Sequence, residues 1–263
     1  MIRRILKVVP VAACVLLTAG SVFAPSAFAL EAGVRGMYWG SNISGDIQTV
    51  TDGVPGTILD LQSDLGMEDE NVFNGEAFLK AGNFTFRVAY TPLKYTGSSV
   101  LSTPIVFDGS TFPAGTPVSS KLEAKMVDGD VQWDFINPDL GVASMNLGVF
   151  LRLKYVDGSA EISSNNPVLS ISATQDFRLP IPEVGIAAGI GFLKNIVRAD
   201  ARVSGMAYSA NHIYEGDAFL SVIPFPFLRL QGGYRYIDLK ADENDLKGTL
   251  KIKGPYAGIQ VAF

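Results

Sequence analysis

Twelve ionisable side chains stand at alternate positions within otherwise apolar stretches of this 263-residue sequence. Arg35, Arg87, Arg152, Lys154, Arg198, Arg202, Arg229 and Arg235 supply the cations, and Asp128, Asp130, Asp134 and Asp200 the acids. Gathered on one surface, opposite charges form hydrogen-bonded ion pairs that offset the cost of removing each from water. If that surface instead lines an open passage, eight cations against four acids favour small anions. Two further groups invite chemistry. His212, the only histidine, lies near Ser209, Asn211 and Asp217. A hydrolase would need it to reach both a hydroxyl and an orienting carboxylate, and a serine three residues away on a turn serves that poorly. The segment 41–70 carries Asp46, Asp52, Asp60, Asp64, Glu68, Asp69 and Glu70 with no Lys or Arg. Such acids can hold Ca²⁺, but their spacing is not that of an EF-hand loop. The expectation is a solvated external segment, with no metal or cofactor.

The elements that must position these residues repeat with period two. From Ala143 to Tyr155 the odd positions read Ala, Met, Leu, Val, Leu, Leu, Tyr, and the even positions Ser, Asn, Gly, Phe, Arg, Lys. On a strand this places an apolar face opposite a polar or small one. The same alternation marks Phe84–Tyr90, Val184–Phe192, Val197–Val203, Leu228–Tyr236 and Tyr256–Phe263. Each run is about ten residues long, the length of a tilted strand crossing a hydrocarbon layer. Short connections near 81–82, 137–139, 193–194 and 224–226 alternate with polar ones near 41–70, 98–119, 157–170, 209–216 and 241–247. The pattern predicts an all-β fold, a closed antiparallel transmembrane barrel with short periplasmic turns and longer extracellular loops. Ten strands fit, near 32–41, 71–80, 83–96, 120–136, 141–157, 182–193, 195–208, 216–223, 227–240 and 248–263; eight or twelve would also satisfy the layout.

The first 29 residues read as a cleaved export signal. Arg3, Arg4 and Lys7 precede an apolar core from Val8 to Phe23, and Ala27-Phe28-Ala29 forms the cleavage site. Residues 30–263 then form one barrel domain. Loss of the leader's three cations leaves 18 against 26 acids, a net charge of −8 rather than −5, which disfavours nucleic acid as a partner. Cys14, the only cysteine, leaves with the leader, so no disulfide framework is expected.

Aromatic residues divide by strand end. Phe84, Phe86, Trp133, Phe135, Phe192, Phe225, Phe227 and Phe263 fall near the proposed short turns or the C-terminus, and Tyr90, Tyr95, Tyr155, Tyr234 and Tyr236 toward the long loops. Two girdles of this kind suit two membrane interfaces. The terminal Gly254–Phe263 run resembles the closing strand of small Gram-negative outer-membrane β-barrel proteins. Its Ala257, Ile259, Val261 and Phe263 stand where the family's signal to the barrel-assembly machinery lies. Asp64-Leu65-Gly66, the strand Phe84–Tyr90 and Gly232-Gly233-Tyr234-Arg235 resemble one barrel family loosely grouped with OmpW- and OmpA-type barrels. The resemblance implies a bacterial outer-membrane address, with membrane lipid, lipopolysaccharide and the assembly machinery as partners. It implies no chemistry.

The functional expectation is a non-enzymatic barrel with a structural or surface-interaction role and a largely plugged polar lumen. A narrow porin-like channel for small, anionic solutes is the alternative, and a hydrolase using His212 a minor one. Gly232-Gly233 is expected to make room for inward arginines or a bend.

Overall fold

Alternating stretches of this length can lie in lipid only if every backbone hydrogen bond is made between strands, which requires a closed ring. The computed structural model, which describes residues 30–164, 170–242 and 246–263, has that form. Ten long strands make the wall: β1 (Leu30–Thr51), β4 (Glu70–Ala81), β5 (Phe84–Val100), β8 (Pro117–Ile136), β9 (Ala143–Ser164), β10 (Ser172–Phe192), β11 (Val197–Tyr208), β12 (Asn211–Phe225), β13 (Leu228–Asp242) and β14 (Leu246–Ala262). Each is antiparallel to its neighbours, and β14 closes on β1 from Gly33 opposite Ala262 to Thr49 opposite Leu246. Two reciprocal backbone bonds between Ala32 and Phe263 pin the end of the chain to β1. The ten expected segments correspond one to one with these strands. The proposed leader, with Ala27 and Ala29, lies outside the described residues.

Most strands run further than the sequence reading placed them, and the large extensions lie away from the short turns. β1 continues to Thr51, β9 to Ser164, β10 begins at Ser172, and β12 begins at Asn211, so the connection near 209–216 is a two-residue turn at Ser209-Ala210. The reason is a change of phase. In β9 the outward residues up to Tyr155 are apolar and the inward ones include Arg152 and Lys154. Beyond it the outward residues are Asp157, Ser159 and Glu161, while Val156, Ala160 and Ile162 are buried inside. In β8, Val127, Val131 and Trp133 face out beside inward Asp128 and Asp130. Further along, Lys121, Glu123 and Lys125 face out, and Leu122, Ala124 and Met126 face in. Period two persists while the two faces exchange polarity, so a reading keyed to outward apolar residues stops the strand too early.

The barrel is thus two stacked barrels sharing one wall. Toward the short turns an apolar exterior surrounds a charged interior. Toward the long connections a polar exterior surrounds a hydrophobic core. Short elements cap that core: β2 (Val54–Pro55) and β3 (Leu59–Asp60) fold back on β1, and β6 (Ile105–Phe107) pairs with β7 (Ser110–Phe112) in a hairpin. Phe107 and Phe112 are fully buried, and Thr57 exchanges backbone and hydroxyl hydrogen bonds with Val106.

Candidate functional site in the barrel interior

The inward positions of the membrane-facing half converge on one charged layer. Asp130, on β8, receives Arg87 at 3.1 Å, Arg202 at 2.9 Å and Arg152 at 3.4 Å. Arg152 also reaches Glu215 at 2.7 Å, and Glu215 lies 3.0 Å from the Lys154 ammonium. Lys154 meets Asp128, its cross-strand neighbour, at 2.5 Å. Arg235 stands 3.8 Å from Asp128 and 3.9 Å from Glu215, with its guanidinium 5.2 Å from the Trp39 ring centre. Nearer the short turns, Arg35 pairs with Glu76 at 2.8 Å. There Arg198 pairs with Asp200 at 2.8 Å and donates to Asn146. Phe150 carries the guanidinium of Arg202 at 4.3 Å and that of Arg152 at 5.3 Å. Planar, forked donors on carboxylates and ring faces are the arrangement arginine supports best. Within the layer a cavity of about 40 Å³ is bordered by Arg35, Asn74, Glu76, Arg152, Arg202 and Asp217, among others, enough for a few waters and no larger solute.

Directly beyond this layer the interior turns apolar. A second cavity of about 40 Å³ is lined by Leu93, Leu122, Met126, Val156, Phe177, Ile213, Ile237 and Ile252, with Lys154 at its edge. Tyr95, fully buried, donates to Ser41 Oγ at 2.8 Å. Above it pack Ile43, Leu59, Leu65, Phe107 and Phe112, each no more than 1–2% exposed. The loop bearing Leu65 is latched to the inner wall: Ser120 donates to the Leu65 carbonyl at 2.8 Å and Ser99 to that of Asp64 at 2.5 Å. Gly66 takes a left-handed φ of 63°, and Gly97 leaves space for the loop, since a Cβ there would collide with the Leu65 carbonyl oxygen. Asp64-Leu65-Gly66 is therefore part of the cap.

All twelve ionisable residues singled out in the sequence lie on the inner wall. Asp134 accepts from Gln132 at 2.6 Å. Arg229, half-buried opposite Gln260, makes no hydrogen bond or ion pair with another described residue. The expected cation excess disappears, because Glu76, Glu183, Glu215 and Asp217 also point inward and raise the four acids to the number of the cations. Their strands, β4, β10 and β12, alternate less cleanly than β8 and β9. Glu183 follows Pro180 and Pro182, and β12 was expected to start beyond Glu215. What marked these acids was their phase: Ala77, Val184 and Ala218 face outward beside Glu76, Glu183 and Asp217, and Tyr214 faces outward beside Glu215.

Other expectations are corrected. Tyr95 belongs to no girdle and lies inside, whereas Tyr38 and Tyr214 join Tyr90, Tyr155 and Tyr234 on the outer surface. Gly233 makes room for an aromatic ring, not an arginine: a Cβ there would lie 2.8 Å from Tyr256 Cζ and 2.6 Å from Phe219 Cβ. Tyr256 uses that space to donate to Asp217 at 2.7 Å. The acidic segment is largely structured. Asp60 caps a turn by accepting from the Gln62 and Ser63 amides at 3.0 and 2.7 Å, and Asp69 accepts from the Ile43 amide and the Asn42 side chain. His212 faces the outside wall of β12, in register with Lys240, its Nε2 3.9 Å from Asp238. No hydroxyl is hydrogen-bonded to it among the described residues.

No protein-family model and no curated protein sequence matches the chain. Among solved structures it is similar to the outer membrane protease OmpT of Escherichia coli, at 9% identity and a TM-score of 0.48 over 91% of this chain and 99% of that one. It is also similar to Neisserial surface protein A, at 12% identity and 0.37 over 88% and 97%, and to the Pseudomonas putida toluene transporter TodX, at 8% identity and 0.34 over 92% and 91%. The membrane assignment stands on the exterior itself. Val34, Phe86, Val88, Leu151, Leu153, Val184, Ile186 and Leu220 form an exposed apolar belt. Phe84, Trp133, Phe192 and Phe227 rim one edge, and Tyr38, Tyr90, Tyr155 and Tyr234 the other. A closed antiparallel barrel wearing such a belt is an outer-membrane β-barrel.

Proposed function

We propose that this protein is a sealed, non-enzymatic outer-membrane barrel that acts through its extracellular surface and its contacts with membrane lipid. One observation carries the reading. The charged layer is paired throughout most of its depth, and the space above it is filled by the apolar core under Phe107 and Phe112. Ion pairs fix the wall strands from inside, and the hydrophobic core extends the rigid wall beyond the membrane as a platform for the cap. Entry of the closing strand through Ala257, Ile259, Val261 and Phe263 into the barrel-assembly machinery, and contact with lipopolysaccharide, belong to the same proposal; Ala257, Ile259 and Val261 face the lipid side, and Phe263 after them is exposed.

The equality of inward acids and cations removes the support for an anion passage. The placement of His212 on the outer wall, with no hydroxyl hydrogen-bonded to it among the described residues, does the same for a hydrolase. The test is single-channel recording of the refolded protein in a planar bilayer, with heat-modifiable gel migration as proof of folding. A folded, silent protein is expected. Steady conductance steps that change in Arg152→Ala would overturn the sealed reading.

A further inference from the structure

The outer wall just above the tyrosine rim is unevenly charged. On the side formed by β5, β8, β9 and β10, each outward cation has an acid beside it on its own or a neighbouring strand. Lys121 pairs with Glu123 at 2.9 Å and Arg178 with Asp157 at 3.2 Å, and Lys125 stands opposite Asp157 in register. On β14, Lys251 and Lys253 face outward from alternate positions, about 7 Å apart along the strand. Lys253 forms no ion pair with a described residue. Lys251, half exposed, is 3.7 Å from Asp238, whose carboxylate already takes the Tyr236 hydroxyl at 2.9 Å.

Height is the second observation. Lys253 is the first charged outward residue on β14 above the belt: Pro255, Ala257 and Ile259 continue from it into the lipid-facing surface, and Tyr38 stands opposite Ala257. On the flanking strand Tyr234 and then Tyr236 mark the interface, Tyr236 in register with Lys253. Ser44, in register with Lys251 on the other side, offers a hydroxyl. Two ammonium groups and a hydroxyl are therefore held where lipid headgroups begin, on a chain whose total charge is negative. Ammonium groups of this kind suit a phosphate as point charges, and lysines next to an anionic leaflet draw its headgroups toward them.

We infer that Lys251 and Lys253, with Ser44, form a binding site on the β13–β14–β1 wall for the phosphate of a phosphorylated lipid in the outer leaflet. This rests on the membrane-barrel reading above and gives its lipid contact a specific place.

The test uses the refolded protein in neutral detergent micelles, with folding checked by heat-modifiable migration. Native mass spectrometry then counts bound lipopolysaccharide, either intact or stripped of its phosphates. Wild type is expected to retain the intact lipid. Lys251→Gln/Lys253→Gln should lose affinity roughly 30-fold at low salt, the effect expected for two lysines beside an anionic surface. Lys94→Gln/Lys125→Gln, on β5 and β8 away from the site, should stay within about twofold, as an exposed change outside it. Wild type with dephosphorylated lipid should match the Lys251/Lys253 variant. Equal binding of stripped and intact lipid by wild type overturns the site, as does undiminished binding by the folded double variant. A protein that fails to insert and fold in lipid would instead sink the membrane-barrel reading on which the site depends.

Discussion

The ammonium of Lys154 lies 2.5 Å from Asp128 Oδ1, its cross-strand neighbour on β8, while the same side chain borders the apolar cavity above. With 1% of its side chain exposed, Lys154 is the seam between the two halves of the barrel. Its charge belongs to the ion-pair layer and its stem to the hydrophobic core, a division its long aliphatic stem allows.

Removing that charge should be costly. Lys154→Met leaves Asp128 and Glu215 short of a partner and is expected to destabilise the barrel by about 3–5 kcal/mol, as for other broken buried pairs. Adding Asp128→Asn should recover part of the loss, a coupling on the order of 1–3 kcal/mol between contacting residues. Urea unfolding in lipid vesicles measures both; strictly additive losses would deny the pair its role.

The exchange of polarity along each strand predicts opposite responses to charge at two heights. Leu151→Arg, in the lipid-facing belt, is expected to cost about 2–4 kcal/mol of folding stability in vesicles. Ile252→Lys, inside the extracellular core, should cost more than about 4 kcal/mol, because the buried ammonium finds no acid. Lys253→Ala, next to it but outward, should stay within about 0.5 kcal/mol. A comparable loss at Ile252 and Lys253 would mean that the upper wall has no inside.

Gly97 holds the cap against the wall. Gly97→Val drives a side chain into the Leu65 carbonyl and should eject the 59–69 loop, with protease cleavage appearing in that loop while heat-modifiable migration persists. Leu65→Ala, which empties the core without a collision, is expected to cost about 2–5 kcal/mol. A loop that remains protected in Gly97→Val would show that its latch is elsewhere.

Asp60 gives the cap a pH dependence. The amides of Ser63 and Gln62 and the Ser63 hydroxyl hold its carboxyl below the ordinary aspartate range. Because the folded value is depressed, the stabilisation is present above the unfolded pKa of about 3.9 and is lost as pH falls through the folded value. Amide exchange of Gln62–Gly66, corrected for its intrinsic pH dependence, should accelerate in that acid window. Asp60→Asn should show fast exchange already at neutral pH, and identical profiles for the two proteins would contradict the turn-capping role.

Much of this architecture was legible in the residues themselves. Outward Leu147, Val149, Leu151 and Leu153 beside inward Arg152 and Lys154 define a strand, its two faces and its solvent, because side chains on a strand must alternate and lipid tolerates only apolar ones. The two aromatic rims and the phase of all twelve named charges followed from the same rule. The upper half was also written in the sequence, as Val156, Ala160 and Ile162 against Asp157, Ser159 and Glu161. There the period survives while its meaning reverses, and a period alone does not say which face is wet. Only closure of the ring decides that. It brings Glu215 of β12 to Arg152 and Lys154 of β9, 63 and 61 positions away in the chain, and turns an apparent cation excess into a matched layer. It also folds Phe107 and Phe112 from a connecting segment into the core, because burying two phenyl rings under a ring of strands requires strands that no local pattern brings together.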